Sequence, residues 1–387
     1  MEASHEPPFD FAQGREPVEW RTRPRPREKI LVVQTSFLGD VVLTTPLLSE
    51  VKRRFPEAEL AILCTAQAKS LLEGNPDLDE IIVDDKRESR RGWRGFRRTV
   101  EELRKRGFTI ALSPHKSLRT ALLLFLAGIP YRIGFRQSKG WFLYHRRVKR
   151  DPARHDVERN LSILQPFGIN PEECQRDLRV EADPRARESV ERIFQSLGIE
   201  RNGLIFGLNP GSVWATKRWS AQGYAELIGH LKRRYPCKIL LFGGPEDHGI
   251  IARIQELSGG VGVSVAGKID LKELPCALEW CNVFITNDSG PMHVAVARRV
   301  PVVAVFCATT PSLGFYPYSS RAVVVEKELP CRPCSSHGGR RCPLGTEDCI
   351  RLVKAEDVFR GVGRLLDASN GVGSDSSDSH FPQSITL

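Results

Sequence analysis

The chain has 387 residues, too many for one ordinary domain and enough for two. Hydrophobic residues make up 41% and charged residues 27%, globular values that exclude wholesale disorder, and ten cysteines are too sparse for a disulfide scaffold. The net charge of +10 is unevenly spread: nineteen basic residues face three acidic ones between Lys86 and Arg150, a local +16 that leaves the rest at −6. Such asymmetry points to a polyanionic partner (nucleic acid, anionic membrane or phosphorylated substrate), the alternative being a solvated helix face. Recognised nucleic-acid motifs are absent, so no nucleic acid is expected. The start, MEASHEPPFDFAQGREPVEW, lacks the apolar core of a signal peptide, and the most apolar stretch, Ala121–Ile129, is about half a membrane span. A soluble, cytoplasmic protein is expected.

Residues 1–28 read as a flexible Pro- and Arg-rich arm. Strand Ile30–Gln34, helix Val41–Phe55, strands Glu59–Cys64, Ile81–Val83 and Thr109–Leu112, and the apolar helix Leu118–Ala127 make a first β-α series across 29–182. The charged helix Asp183–Leu197 separates it from a second series over 200–353. There strand Leu204–Leu208, helix Ala221–Arg234, strand Lys238–Phe242 and helices Glu246–Leu257 and Leu271–Cys281 are followed by strand Val283–Thr286, helix Pro291–Ala297 and strand Val300–Phe306. A terminal helix (354–368) and a disordered tail (369–387) complete the prediction. The pattern predicts two α/β units with parallel sheets, and ligands at the carboxyl ends of their strands.

Four motifs lie at those ends. TSFLGD places Asp40 after the first strand, as a helix N-cap or as a general base projecting into a cleft. NPGSVWATKRWS presents Lys217 and Arg218 before a helix, suited to a diphosphate although the spacing is not that of a Walker A loop. FGGPED offers Glu246 to ribose hydroxyls, or as an ordinary first-turn acid. In TNDSGPMHVAVA, Asp288 or Ser289 caps a helix whose free N–H groups suit a diphosphate, and His293 in its first turn is a core, capping or site residue.

Together these motifs resemble glycosyltransferase family 9, the ADP-heptose:lipopolysaccharide heptosyltransferases. TSFLGDVVLTTPLL, TKRWS and TNDSGPMHVAVA look most like heptosyltransferase II, over about 29–365. The resemblance implies a GT-B fold, two Rossmann-like domains with parallel sheets facing across a cleft. It implies inverting transfer of L-glycero-D-manno-heptose from ADP-heptose to the lipopolysaccharide inner core, with no cofactor required for catalysis. Asp40 matches the family's base and Lys217 its phosphate-binding lysine. Glu246 resembles the ribose-side acid, and Asp288, Ser289, Gly290 and His293 match the donor segment. The run before Lys217, SVWAT, departs from the usual heptosyltransferase II pattern. The basic N-terminal unit, with Arg94, Arg97, Arg98, Lys116 and Arg119, would face a phosphorylated lipid A-core acceptor and the anionic inner-membrane surface, as a cytoplasmic peripheral protein. Alternatives are a GT-B protein with another acceptor, a nucleotide-sugar epimerase and a non-catalytic sugar-nucleotide binder.

Cys331, Cys334, Cys342 and Cys349 form a C-x2-C-x7-C-x6-C segment with His337 inside it, a candidate structural Zn or Fe site, or a loop of free thiols or redox-sensitive disulfides.

Overall fold

The computed structural model describes residues 28–84, 93–370 and 380–386. The predicted arm up to residue 27, residues 85–92 at the start of the basic stretch, and 371–379 and 387 of the predicted tail lie outside the described residues.

The first unit contains β1 (Lys29–Val33), α1 (Leu38–Val42), α2 (Thr45–Arg54), β2 (Glu59–Cys64), α3 (Ala66–Leu72), β3 (Glu80–Val83), α4 (Trp93–Arg106), β4 (Ile110–Ser113), α5 (Leu118–Leu126), β5 (Tyr131–Phe135) and β6 (Arg146–Val148). Its strands pair in parallel in the order β3-β2-β1-β4-β5-β6. Helices cover both faces, which is why ILVV, ELAILC and IALS are continuous apolar runs. Next come α6 (Asp156–Leu161) and α7 (Pro184–Ser196), the latter capped by Asp183, whose carboxylate accepts the N–H groups of Arg185 and Ala186 at 2.7 and 3.2 Å.

The second unit contains β7 (Leu204–Asn209), α8 (Ala221–Arg234), β8 (Cys237–Leu241), α9 (His248–Leu257), β9 (Val263–Ser264), α10 (Leu274–Leu278), β10 (Val283–Asn287), α11 (Gly290–Ala297), β11 (Val302–Phe306), β12 (Ala322–Glu326), α12 (Asp348–Arg351), α13 (Ala355–Asn370) and β13 (Gln383–Thr386). Its parallel order is β13-β12-β11-β10-β7-β8-β9. An apolar cluster that includes Val41, Leu161, Phe194, Met292 and Val294 runs through both units. The expected two-domain GT-B architecture is therefore the observed one. Strand order reverses between β1 and β4 in one sheet and between β7 and β10 in the other, and the loops leaving β1, β7 and β10 carry three of the four motifs.

The differences from expectation have local causes. The helix predicted over Val41–Phe55 is two helices. Thr44 Oγ1 donates to the Asp40 carbonyl at 2.8 Å, Thr45 Oγ1 donates to that of Val42 at 2.7 Å, and Pro46 has no N–H to continue the ladder. This leaves α1 as a separate turn bearing Asp40. The helix predicted from Glu246 starts at His248, after a 3-10 turn over Pro245–Asp247. Strands β5 and β6 lie in the C-terminal part of the basic stretch that ends at Arg150, where charge hides the β pattern. The predicted tail is not wholly disordered: α13 continues to Asn370, and β13 extends the sheet beside β12 with Ile385 buried among Val323, Val358 and Leu365.

Candidate active site

The two units meet at glycines. A side-chain carbon on Gly39 would lie 2.9 Å from His293 Cδ2, and one on Gly290 would lie 3.2 Å from Leu38 Cδ2. Bare backbone at both positions lets α1 and α11 approach, so that TSFLGD and NDSGPMH line one cleft. Asp40, Lys217, Asp288, Ser289, Gly290 and His293 all line it, joined by Phe37, Trp214, Thr310, Phe315 and His337.

Asp40 is not the N-cap residue; it is the third residue of α1, and its Oδ2 accepts the Phe37 N–H at 3.1 Å. Burial, then the charge of Asp156, push its carboxyl up to about 6, against the opposing effects of bonds from Ser36 and Phe37 and the charge of Lys217. It is ionised at neutral pH and more basic than an ordinary aspartate, as a proton acceptor must be.

Lys217 ends a 3-10 turn (Ala215–Lys217), and its ammonium meets Asp288 Oδ2 at 2.7 Å. The same oxygen accepts the Thr309 hydroxyl at 2.7 Å, so Asp288 aims the lysine. Ser289 occupies the N-cap position of α11, yet its hydroxyl makes no capping bond and lies by Asn209 Nδ2 and Thr286 Oγ1, at 3.4 and 3.2 Å. His293 is buried, its Nδ1 has no hydrogen-bond partner, and burial holds its pKa down to about 4, so the ring is neutral at pH 7. Glu246 is exposed at the end of β8 and does not line the cleft. The buried acid of that loop is Asp247, which accepts the Gly244 N–H at 3.1 Å. A side-chain carbon on Gly211 would fall 2.3 Å from Asp247 Oδ2, so the NPG and FGG loops touch there.

On the N-terminal side of the cleft the structure adds a residue that sequence reasoning missed. Asp156, buried at the start of α6, receives Arg150 at 2.5 Å and Asn160 Nδ2 at 3.4 Å. Asn160 also donates to the carbonyl of Leu43, which closes α1. The available signal was a helix start, HDVERN, in which four polar side chains are buried. Lys116 is exposed but held below the ordinary lysine range, by partial burial first and then by Arg150, while Asp156 and Asp40 oppose the shift. It belongs to this neighbourhood. Arg94, Arg97 and Arg98 are exposed on α4 and do not line the cleft. Arg119 is committed elsewhere: its guanidinium pairs with both oxygens of Asp84 and lies 5.4 Å from the Phe96 ring centre. A larger groove of about 1120 Å³, lined in part by Lys52, Arg179, Arg298 and Arg321, contains none of the candidate site residues and only the last two residues of the fourth motif, Val296 and Ala297.

The cysteine segment wraps over the loop that carries Lys217. Gly339 exchanges hydrogen bonds with Thr216, and His337 stands 6.0 Å from Phe37, ring to ring. A side-chain carbon on Gly338, at φ +80°, would meet Lys217 Cγ at 2.8 Å. The predicted ligand set is not assembled: among the described residues no three His, Cys, Asp or Glu side chains are gathered to hold an ion. Cys331 is exposed and Cys349 buried, and the Cys342 thiol is held below its ordinary value by backbone N–H groups of Leu344 to Glu347. All four are free thiols in this structure. In native protein Cys342 should react fastest with a thiol reagent and Cys349 only on unfolding, as the two pKa directions require. A stoichiometric metal in untagged protein would show instead that the sulfurs close round an ion.

A carboxylate facing a cation and a helix N-terminus across two Rossmann-like units is an arrangement suited to a glycosyltransferase of the GT-B fold. The chain belongs to glycosyltransferase family 9 (heptosyltransferase), whose model matches residues 96–343. It is similar to the lipooligosaccharide heptosyltransferase 2 of Campylobacter jejuni, 27% identical over 348 residues, 88% of this chain and 99% of the relative. It is also similar to a lipopolysaccharide heptosyltransferase 3 of Escherichia coli, 24% identical over 86% of this chain and 98% of the relative. Among solved structures, a family 9 glycosyltransferase from Veillonella parvula superposes with a TM-score of 0.80 at 25% identity, covering 91% of this chain and 99% of that one.

Proposed function

We propose that this glycosyltransferase moves L-glycero-D-manno-heptose from ADP-heptose to a heptose of the lipopolysaccharide inner core, in the manner of heptosyltransferase II, with inversion at the anomeric carbon. The observation that carries the reading is Asp40, with its raised pKa, on one wall of the cleft and Lys217 with the start of α11 on the other.

The ADP diphosphate would sit against Lys217 and the first N–H groups of α11, which Ser289 leaves without a side-chain cap. Glu246, outside the lining, is left for the ribose end of the nucleotide. As the acceptor hydroxyl attacks the anomeric carbon, Asp40 takes its proton, and the glycosidic bond to phosphate breaks towards ADP. Attack opposite the departing phosphate inverts the centre, and one base suffices. Negative charge grows on the leaving phosphate, where Lys217 and the helix dipole stabilise it. Neutral His293 closes the cleft without competing for the proton. None of these steps calls on a metal or organic cofactor. Burial, and after it the charge of nearby Asp156, keeps the Asp40 carboxyl basic.

Incubation with ADP-heptose and a heptosylated lipid A precursor tests this. The expected result is release of ADP with a mass gain of one heptose on the lipid. Donor binding without ADP release would indicate a non-catalytic binder. ADP-heptose converted to another sugar nucleotide with no gain on the lipid would indicate an epimerase.

A further inference from the structure

We propose that the outer face of α5, with the turn Trp141–Leu143 seated on it, is a docking surface for an anionic phospholipid bilayer. The inference rests on the lipid-linked acceptor proposed above.

Helix α5 is apolar on two sides. Ala121, Leu123 and Leu124 are buried against the sheet, while Leu118, Leu122 and Leu126, one turn apart, remain 40, 37 and 41% exposed. A surface helix normally turns polar residues outward, so an outward leucine stripe asks for a cover. The stripe is widened by the next turn. Gly140 touches α5 so closely that a side-chain carbon there would lie 2.4 Å from Ala121 Cβ and 3.3 Å from Leu118 Cδ1. This close seating sets Trp141 and Phe142, 46 and 59% exposed, beside Leu118.

Charge complementarity identifies the occupant. From Ile110 to Arg150 there are nine basic residues and no acidic one. Arg132 is buried and Arg119 and Arg150 pair with Asp84 and Asp156, which leaves Lys116, Arg136, Lys139, Arg146, Arg147 and Lys149 to charge the surface. Several border the patch directly: the Lys139 N–H bonds the Lys116 carbonyl at 3.1 Å, Arg147 lies 5.2 Å from the Trp141 ring centre, and Arg104 bonds the Leu126 carbonyl at 2.6 Å. Leucine, tryptophan and phenylalanine ringed by lysine and arginine is the composition of an interfacial lipid-binding surface. A second copy fits badly, because a two-fold contact would set these cations against themselves. Lys116 also neighbours Asp40 electrostatically, so the docked face adjoins the reacting centre and a lipid-linked sugar need not leave the bilayer to reach it.

The test is flotation of the full chain with vesicles of phosphatidylcholine, with or without about one third phosphatidylglycerol. Wild type should bind the anionic vesicles and bind the neutral ones much more weakly. The double variant Leu122→Ser, Phe142→Ser should bind anionic vesicles about tenfold more weakly or worse, given what burying two such side chains contributes. Its turnover on a soluble, delipidated acceptor should match wild type, which also shows that it folds. Wild type that ignores anionic vesicles, or a double variant that binds like wild type, overturns the proposal. So does a wild-type dimer, seen by sedimentation, that the double variant dissolves; that result assigns the patch to a second copy. Vesicle binding without heptosyl transfer to either acceptor would overturn the functional reading and leave the docking surface standing.

Discussion

Asp40→Asn should lower turnover by ~10²–10⁴-fold, the usual worth of a general base, while calorimetric ADP affinity stays within about twofold of wild type. The split follows from geometry: Asp40 lies on the acceptor-side wall, and the diphosphate is assigned to Lys217 and α11 on the other. A variant keeping more than about a tenth of wild-type kcat would show that the base is elsewhere, with Asp156 the next carboxylate to replace. The pH dependence supplies a second reading. Only ionised Asp40 accepts a proton, and its carboxyl is pushed up to about 6, so kcat/KM of wild type should climb through pH 6 and level off above it. That limb should vanish in the residual activity of the variant.

The same shift predicts stability. Folding raises the Asp40 carboxyl from 3.8 to about 6, so its ionised form is disfavoured in the native state. The protonated carboxyl contributes its stability fully below pH 3.8, and that contribution is lost as pH rises through 6. Asparagine has nothing to ionise. Asp40→Asn should therefore be more stable than wild type at pH 8, by up to about 3 kcal/mol and with a higher melting point, and equally stable near pH 3. An unaltered melting point at pH 8 would mean that Asp40 is better solvated than its surroundings imply.

Strands β1 to β4, β7, β8, β10 and β11 and the motif loops were legible because each rests on a strong local rule. A strand covered on both faces is an apolar run, and a tight strand-to-helix crossing needs glycine and a capping residue. GD and SG carry more than turn chemistry. Gly39 and Gly290 are small because His293 and Leu38 from the opposite unit fill the space, a constraint that no local pattern expresses. Asp156 was hidden for the same reason: buried arginine and asparagine partners look like a solvated helix start until the fold sets Arg150 and Asn160 beside it. Glu246 and Asp247 show the converse error. The sequence offers two adjacent acids, and only packing against Gly211 reveals that the second is inside. β13 was illegible because four residues inside a polar, Gly- and Ser-rich tail are too short a pattern to read, although Ile385 and Thr386 suit a strand, and they take their order from the edge of β12.

Lys217→Ala should weaken ADP binding and also lower turnover, because a phosphate contact acts in the ground state and strengthens as the leaving group gains charge. Removing one partner of a hydrogen-bonded ion pair typically costs several kcal/mol when the other is left buried, and Asp288 is buried with only Thr309 remaining to its Oδ2. The unpaired carboxylate would then repel the diphosphate, so ADP affinity should fall by one to two orders of magnitude, roughly 1.4 kcal/mol for each. Lys217→Ala with Asp288→Asn separates the two contributions. If repulsion from the orphaned carboxylate dominates, the double variant recovers most of the lost affinity and little of the lost turnover. If the direct lysine contact dominates, the double variant stays as weak as the single one. Calorimetry showing wild-type ADP affinity in Lys217→Ala would remove the lysine from the donor site and leave α11 as the diphosphate's anchor.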